Sequence, residues 1–197
     1  WKELFVPSGR VQLIGEFDLV ANEAVEFLFD WDLRSGLVLP PGLGGIGTDV
    51  YLLKPTIRVL ETDFYGRLGG TISMDTVTAE ANACDADSEA GVYDEGNAVY
   101  IFEGSGVTPD DIDEEGDVAP VATVDAVLSD DSTVYEYSTV LAEGDYTVAF
   151  TCQAANDDPE ANDTGNEMEE DDSVAFVATA DVTIIGDAEE PEVTVDF

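Results

Sequence analysis

Apolar and polar residues alternate one by one along much of this chain, and a period of two predicts β-strands. Val25, Phe27, Phe29, Trp31 and Leu33 alternate with Glu26, Leu28, Asp30 and Asp32, which sets one apolar face toward a core. Val11, Leu13, Phe17 and Leu19 share one face of an earlier strand, with Gln12, Glu16 and Asp18 on the other. Residues 50–60 predict a third strand, where Pro55 must take an edge or bulge because it cannot donate to a ladder. Residues 71–78 predict a fourth. Between the second and third, Pro40-Pro41-Gly42-Leu43-Gly44-Gly45 reads as a turn-rich loop.

Beyond Ala79 the texture changes, and the division expected is a first domain at 1–80 and a second at 81–197. Residues 98–102 form a continuous apolar run. Strands are also predicted at 121–128, 134–141, 146–152, 174–185 and 193–197. No amphipathic segment of helix length interrupts them. Short strands with turn signals every ~8–12 residues predict an all-β protein of immunoglobulin-like or transthyretin-like β-sandwich architecture, arranged as two packed β-domains. The turn Leu141-Ala142-Glu143-Gly144-Asp145-Tyr146 has the form of a tyrosine corner, a short turn whose Tyr opens a strand.

Charge changes the picture of where such a protein works. All six basic residues (Lys2, Arg10, Arg34, Lys54, Arg58 and Arg67) lie in the first third, and there is no His. Ten of the 45 acids precede Arg67, so residues 68–197 carry 35 acids, a formal −35, and no cation. That field opposes compaction unless ions bind or screen it, which predicts a salty or calcium-rich setting. It argues against nucleic acid or an anionic membrane surface as a partner. At 44% hydrophobic and 9% aromatic residues the chain is nonetheless rich enough to fold. No apolar run approaches the ~20 residues of a membrane span, so direct membrane insertion is not expected. The start at Trp1 reads as a mature or trimmed product.

Two cysteines bear on the same question. Cys152 continues the inward alternation of Tyr146, Val148 and Phe150, and Cys84 follows the expected boundary. They are either two buried free thiols or a disulfide, and the exported character of the chain favours the bond. A bond would gather acidic runs: Asp85, Asp87 and Glu89 follow Cys84, and Asp157 and Asp158 follow Cys152. A third run, with Asp111, Asp113, Glu115 and Asp117 around Gly116, has alternating carboxylates on a turn that can converge on a hard cation, so calcium is the cofactor expected. Ala122 stands where an EF-hand has its bidentate Glu, so this is no EF-hand. The competing reading is a solvated halophilic surface.

Catalysis finds little footing. Without His, Ser-His-Asp and Cys-His arrangements are impossible. Asp163-Thr164-Gly165 spells the aspartic-protease triplet but lies in an acidic run rather than between apolar strands. With 45 carboxylates, no glycosidase-type pair stands out.

Several motifs carry a resemblance. Phe5-Val6-Pro7-Ser8-Gly9, Gly15-Glu16-Phe17, Phe29-Asp30-Trp31-Asp32-Leu33-Arg34-Ser35 and Tyr51-Leu52-Leu53-Lys54-Pro55-Thr56-Ile57-Arg58-Val59 resemble the second half of an uncharacterised domain of secreted bacterial and archaeal lipoproteins. Val99-Tyr100-Ile101-Phe102-Glu103-Gly104, Thr108-Pro109-Asp110-Asp111-Ile112-Asp113 and Tyr146-Thr147-Val148-Ala149-Phe150-Thr151-Cys152-Gln153 resemble the downstream part of such lipoproteins in marine and halophilic gammaproteobacteria. The resemblance implies an exported, surface-associated β-protein and no enzymatic activity. The family domain has further strands before the Val-Pro-Ser-Gly segment, so the first sheet is expected to show unpaired edges and an apolar face.

Three function classes follow. The first is a non-catalytic extracellular or cell-surface structural protein that associates with itself or other surface proteins, as a calcium-stabilised fibre built by strand addition. The second is a monomeric module binding a glycan or other extracellular ligand, and the third an accessory domain of a secreted hydrolase. For the first, the assembly strand is the alternating segment 192–197, with Val193, Val195 and Phe197 on its apolar side; completing its own sandwich is the competing use.

Overall fold

The computed structural model describes residues 3–5, 27–33, 36–38, 50–53, 56–61, 64–82, 84, 96–112, 118–157, 174–186 and 192–197. They form an all-β protein with two compact units, Trp1–Thr62 and Asp63–Phe197. The boundary therefore falls earlier than residue 80. The cause is the strand at Tyr65–Ser73, whose pairing partners all lie later in the chain.

In the first unit, β1 (Glu3–Phe5) pairs in parallel with β4 (Val50–Leu53), which also pairs with β3 (Leu37–Val38). Separately, β2 (Phe27–Asp32) and β5 (Thr56–Glu61) form an antiparallel pair. The alternation in β2 is present, but the face expected in the core is the exposed one: Phe29 is 56% accessible and Trp31 40%. Opposite Phe29, Val59 is exposed too. The other face of the pair carries Leu28 beside Leu60 and an ion pair between Asp30 and Arg58, and it is the half-buried side. The strand expected at 11–19, the loop at 40–45 and Pro55 lie outside the described residues.

The second unit is a sandwich. One sheet has the order β13-β6-β10-β9, built from Val193–Thr194, Tyr65–Ser73, Val134–Ala142 and Val127–Leu128. The facing sheet has the order β12-β11-β7-β8, from Ala178–Ile184, Gly144–Thr151, Ala98–Glu103 and Ala122–Asp125. Leu68, Ile72, Tyr135, Tyr137 and Leu141 of the first sheet meet Val99, Ile101, Val148, Phe150 and Ile184 of the second in one buried cluster. Alternation decides which side chains enter it.

β7 is apolar from Ala98 to Phe102 because both its faces are covered there. Val99 and Ile101 face the other sheet, while Ala98, Tyr100 and Phe102 enter a second cluster with Val107, Ile112, Val118 and Phe176. Phe176 meets both Tyr100 and Phe102 edge-on, at centroid distances of 5.4 and 6.2 Å. Such T-shaped contacts suit the ring quadrupoles.

Three local departures from the predicted strands occur, and the first two have simple causes. The strand expected at 71–78 ends at Ser73, whose hydroxyl accepts from Thr76 N and caps a five-residue helix α1 (Met74–Thr78). The strand expected at 121–128 breaks at Ala126, where the chain crosses from one sheet to the other, and Ala126 N donates to the Asn97 carbonyl there. The strand expected from 174 begins only at Ala178. At the predicted tyrosine corner, the Tyr146 hydroxyl donates to the Ala142 carbonyl at 3.0 Å, tying the β10–β11 turn.

Candidate functional site

Local sequence builds the first feature of note. Residues 192–197 lie along β6 in parallel, with Val193 opposite Leu68 and Thr194 opposite Gly69. Val195 N donates to Gly69 O, Phe197 N to Thr71 O, and Ser73 N to Phe197 O. Alternation sends Val193, Val195 and Phe197 toward the core, where the Phe197 ring stacks on Phe150 at 6.2 Å, and leaves Glu192, Thr194 and Asp196 outside. In this single chain the three residues named for assembly thus complete their own sandwich.

Side chains finish what the short ladder leaves undone. Asp196 Oδ1 accepts from Thr71 N (2.8 Å) and Thr71 Oγ1 (2.9 Å), taking a position a backbone carbonyl would otherwise fill. The Val195 carbonyl instead turns to the Tyr137 hydroxyl (2.8 Å), and Glu192 Oε2 accepts from Ser138 Oγ (3.0 Å). Gly69 and Gly70 make room for this. A Cβ on Gly69 would meet the Glu192 carboxylate at 2.5 Å, and one on Gly70 would meet the Val195 carbonyl oxygen at 1.8 Å.

Burial, and then the nearby Asp196 and Glu192 charges, push the Tyr137 hydroxyl above its ordinary pKa. A raised pKa means the folded state keeps this proton after the unfolded chain begins to lose it near pH ~10, so stability is full below that point and declines above it. Tyr137→Phe is expected to cost about 1 kcal/mol at neutral pH, from the lost bond to Val195 O, and to show a shallower decline in alkali. Urea unfolding of both proteins from pH ~7 to ~11 checks this; parallel alkaline slopes would refute it.

The Cys84–Cys152 pair is bonded, with Cα atoms 5.3 Å apart, and both residues pack against the main core. Cys84 follows α1 and a 3-10 turn at Glu80–Asn82, and Cys152 directly follows β11, so the bond staples the run-out of one sheet to the end of the other.

Of the predicted metal ligands, Asp111 and Asp157 are described. Asp111 is 4% exposed, and its neighbour Ile112 packs in the second cluster; Asp157 accepts from the hydroxyl of Tyr100, a member of that cluster. Two of the candidates therefore border one apolar cluster from different loops. Asp85, Asp87, Glu89, Asp113, Glu115, Asp117 and Asp158 lie outside the described residues. Among the described residues, no group of three or more His, Cys, Asp or Glu is gathered as a metal would need. Among them also, no helix is long and apolar enough to cross a membrane.

A feature that sequence reasoning missed is an open trough of about 1010 Å³ along the β6, β10 and β9 strands. It is lined by Thr71, Glu136 and Ser138, by Glu192 and Thr194, by Val127 and the turn after β9, and by Val124 and Asp125 at the end of β8. In that turn Asp131 Oδ1 accepts from Ser129 Oγ, Thr133 Oγ1 and Thr133 N, and these bonds, Thr133's hydroxyl first, hold its carboxyl below the ordinary range. Segments far apart in sequence build the trough, so no local pattern announces it.

Comparison of this chain with protein-family models, with curated proteins and with solved structures gives no match.

Proposed function

We propose that this chain is a non-catalytic structural protein of the cell exterior, akin to the secreted lipoproteins its motifs resemble, that self-associates or joins other surface proteins in calcium-rich or salty surroundings. The observation that carries the reading is the Cys84–Cys152 bond packed against the core. Structural disulfides persist in oxidising compartments outside the cytoplasm. Charge supports the same reading, since residues 68–197 hold a formal −35 with no internal cation.

Calcium fits this chemistry as a hard cation taking carboxylate oxygens. The bond holds Cys84 and Cys152 together, and an acidic run starts at the residue after Cys84 (Asp85, Asp87, Glu89) and shortly after Cys152 (Asp157, Asp158). Sites of the extracellular kind bind at about 10⁻⁴ to 10⁻³ M, so about 10 mM calcium is expected to add roughly 1.5–3 kcal/mol per site. Thermal unfolding in calcium, in a chelator, and in sodium at matched ionic strength measures this. Equal rescue by sodium would leave ionic screening as the whole effect.

The trough favours a second reading, a module that binds a neutral oligosaccharide through the hydroxyls and carboxylates of Thr71, Ser138, Glu136 and Glu192. The same melting experiment with oligosaccharides in place of calcium separates the two.

A further inference from the structure

We propose that the edge of β6 from Leu68 to Ser73 is a receptor for residues 192–197 of a second copy of this chain, so that copies link by strand exchange. This rests on the self-association in the reading above and names its partner and its contact.

The geometry of the segment carries the proposal. Strands joined by tight turns cannot part from one another; β10 and β11 are separated by Glu143 alone. Residues 192–197 have a longer tether: β12 ends at Ile184 and β13 begins at Val193, so residues 185–192 separate the two strands, and the chain passes from the facing sheet to pair with β6. Their hydrogen-bond partners are a compact set on two strands, Gly69, Thr71 and Ser73 of β6 and Tyr137 and Ser138 of β10, and Phe197 adds a stacked contact with Phe150 of β11. None of these contacts depends on which molecule the segment comes from.

The receptor is also selective. Gly69 and Gly70 leave room at two positions that any larger residue would close, one for the Glu192 carboxylate and one for the Val195 carbonyl. Thr71 and Ser138 then require an acceptor side chain at 196 and at 192, and the core requires apolar residues at 193, 195 and 197. A second copy presents that same sequence. Exchange therefore replaces identical contacts with identical contacts, and the balance between the closed and linked forms is set by effective against actual concentration.

Charge decides when the linked form appears. Bringing together two units of formal charge −35 each is opposed at low salt, and screening shortens the range of that repulsion from roughly 30 Å at 0.01 M to about 3 Å at 1 M. Exchange is thus a property of high salt or calcium. One-way exchange continues from copy to copy, whereas reciprocal exchange closes a dimer.

Cysteine trapping in the full chain tests this. Thr71 Oγ1 and Asp196 Oδ1 lie 2.9 Å apart, so cysteines at these two positions are within reach of a bond. T71C and D196C proteins, mixed in about 1 M salt under mild oxidation, are expected to give heterodimers about tenfold above a control pairing D196C with T179C on β12. The double variant T71C/D196C is expected to close within monomers when dilute and to give a covalent ladder when concentrated. Its closure in the dilute sample also verifies that the altered segment still docks. Heterodimers no more abundant than the control, together with monomer closure at every concentration, overturn the proposal. Cross-linking in a protein indifferent to calcium would remove the calcium-dependent reading while keeping the receptor; calcium stabilisation without cross-linking would do the reverse.

Discussion

Reduction of the Cys84–Cys152 bond is expected to lower the stability of the sandwich by about 4 kcal/mol. The bond spans a sequence separation of 68, and in the chain-entropy account closing a loop of that size restricts the unfolded chain by about this much. Replacing the pair by Ser is expected to cost more than reduction, because both cysteines pack against the main core and two hydroxyls would stand where apolar contacts stood. A shift of the thermal midpoint on the order of 10 °C follows from this magnitude for a chain of this length. Urea titrations of oxidised and reduced protein, followed by far-ultraviolet circular dichroism, measure it. Coincident midpoints would show that the bond adds nothing to the fold.

Phe150→Ala is expected to cost about 3–5 kcal/mol, the range for truncating a large side chain in a packed core. Phe150 is fully buried, sits between the two sheets on β11, and carries the stacked ring of Phe197. Its loss leaves a cavity under the 192–197 segment, so this segment should exchange its amide hydrogens sooner than β10 does. Phe64→Ala is the matched control. Phe64 is 54% exposed, so its truncation should fall within about 0.5 kcal/mol of zero. Similar losses in the two variants would mean the core is not where the buried cluster places it.

The sequence announced the sandwich because its strands alternate faithfully where one face is buried. Tyr146, Val148, Phe150 and Cys152 read inward and lie inward. The unbroken run at 98–102 corresponds to a strand buried on both faces, as such runs do. Alternation fails as a guide in β2, because a period of two reveals that two faces differ but not which neighbour each face meets. The short helix after Ser73 was illegible for a different reason. Five residues are little more than one turn, too few for a helical period to appear. The docking of residues 192–197 was half legible: the apolar residues marked a strand, while the roles of Glu192 and Asp196 as acceptors depend on Ser138 and Thr71, 54 and 125 residues away in sequence. The trough has the same non-local origin.

The disulfide turns the stretch between its two cysteines into a covalent ring that includes β7, β8, β9, β10 and β11. A protease that cuts the exposed turn at Asp130 and Asp131 therefore severs the backbone without separating the pieces. The amino-terminal fragment keeps β6 and Cys84, and the carboxyl-terminal fragment keeps β10 and Cys152. The nine-residue β6–β10 ladder and one sulfur bridge still hold them together. In an environment rich in secreted proteases, a nicked copy would keep its place until a reductant reached the bridge.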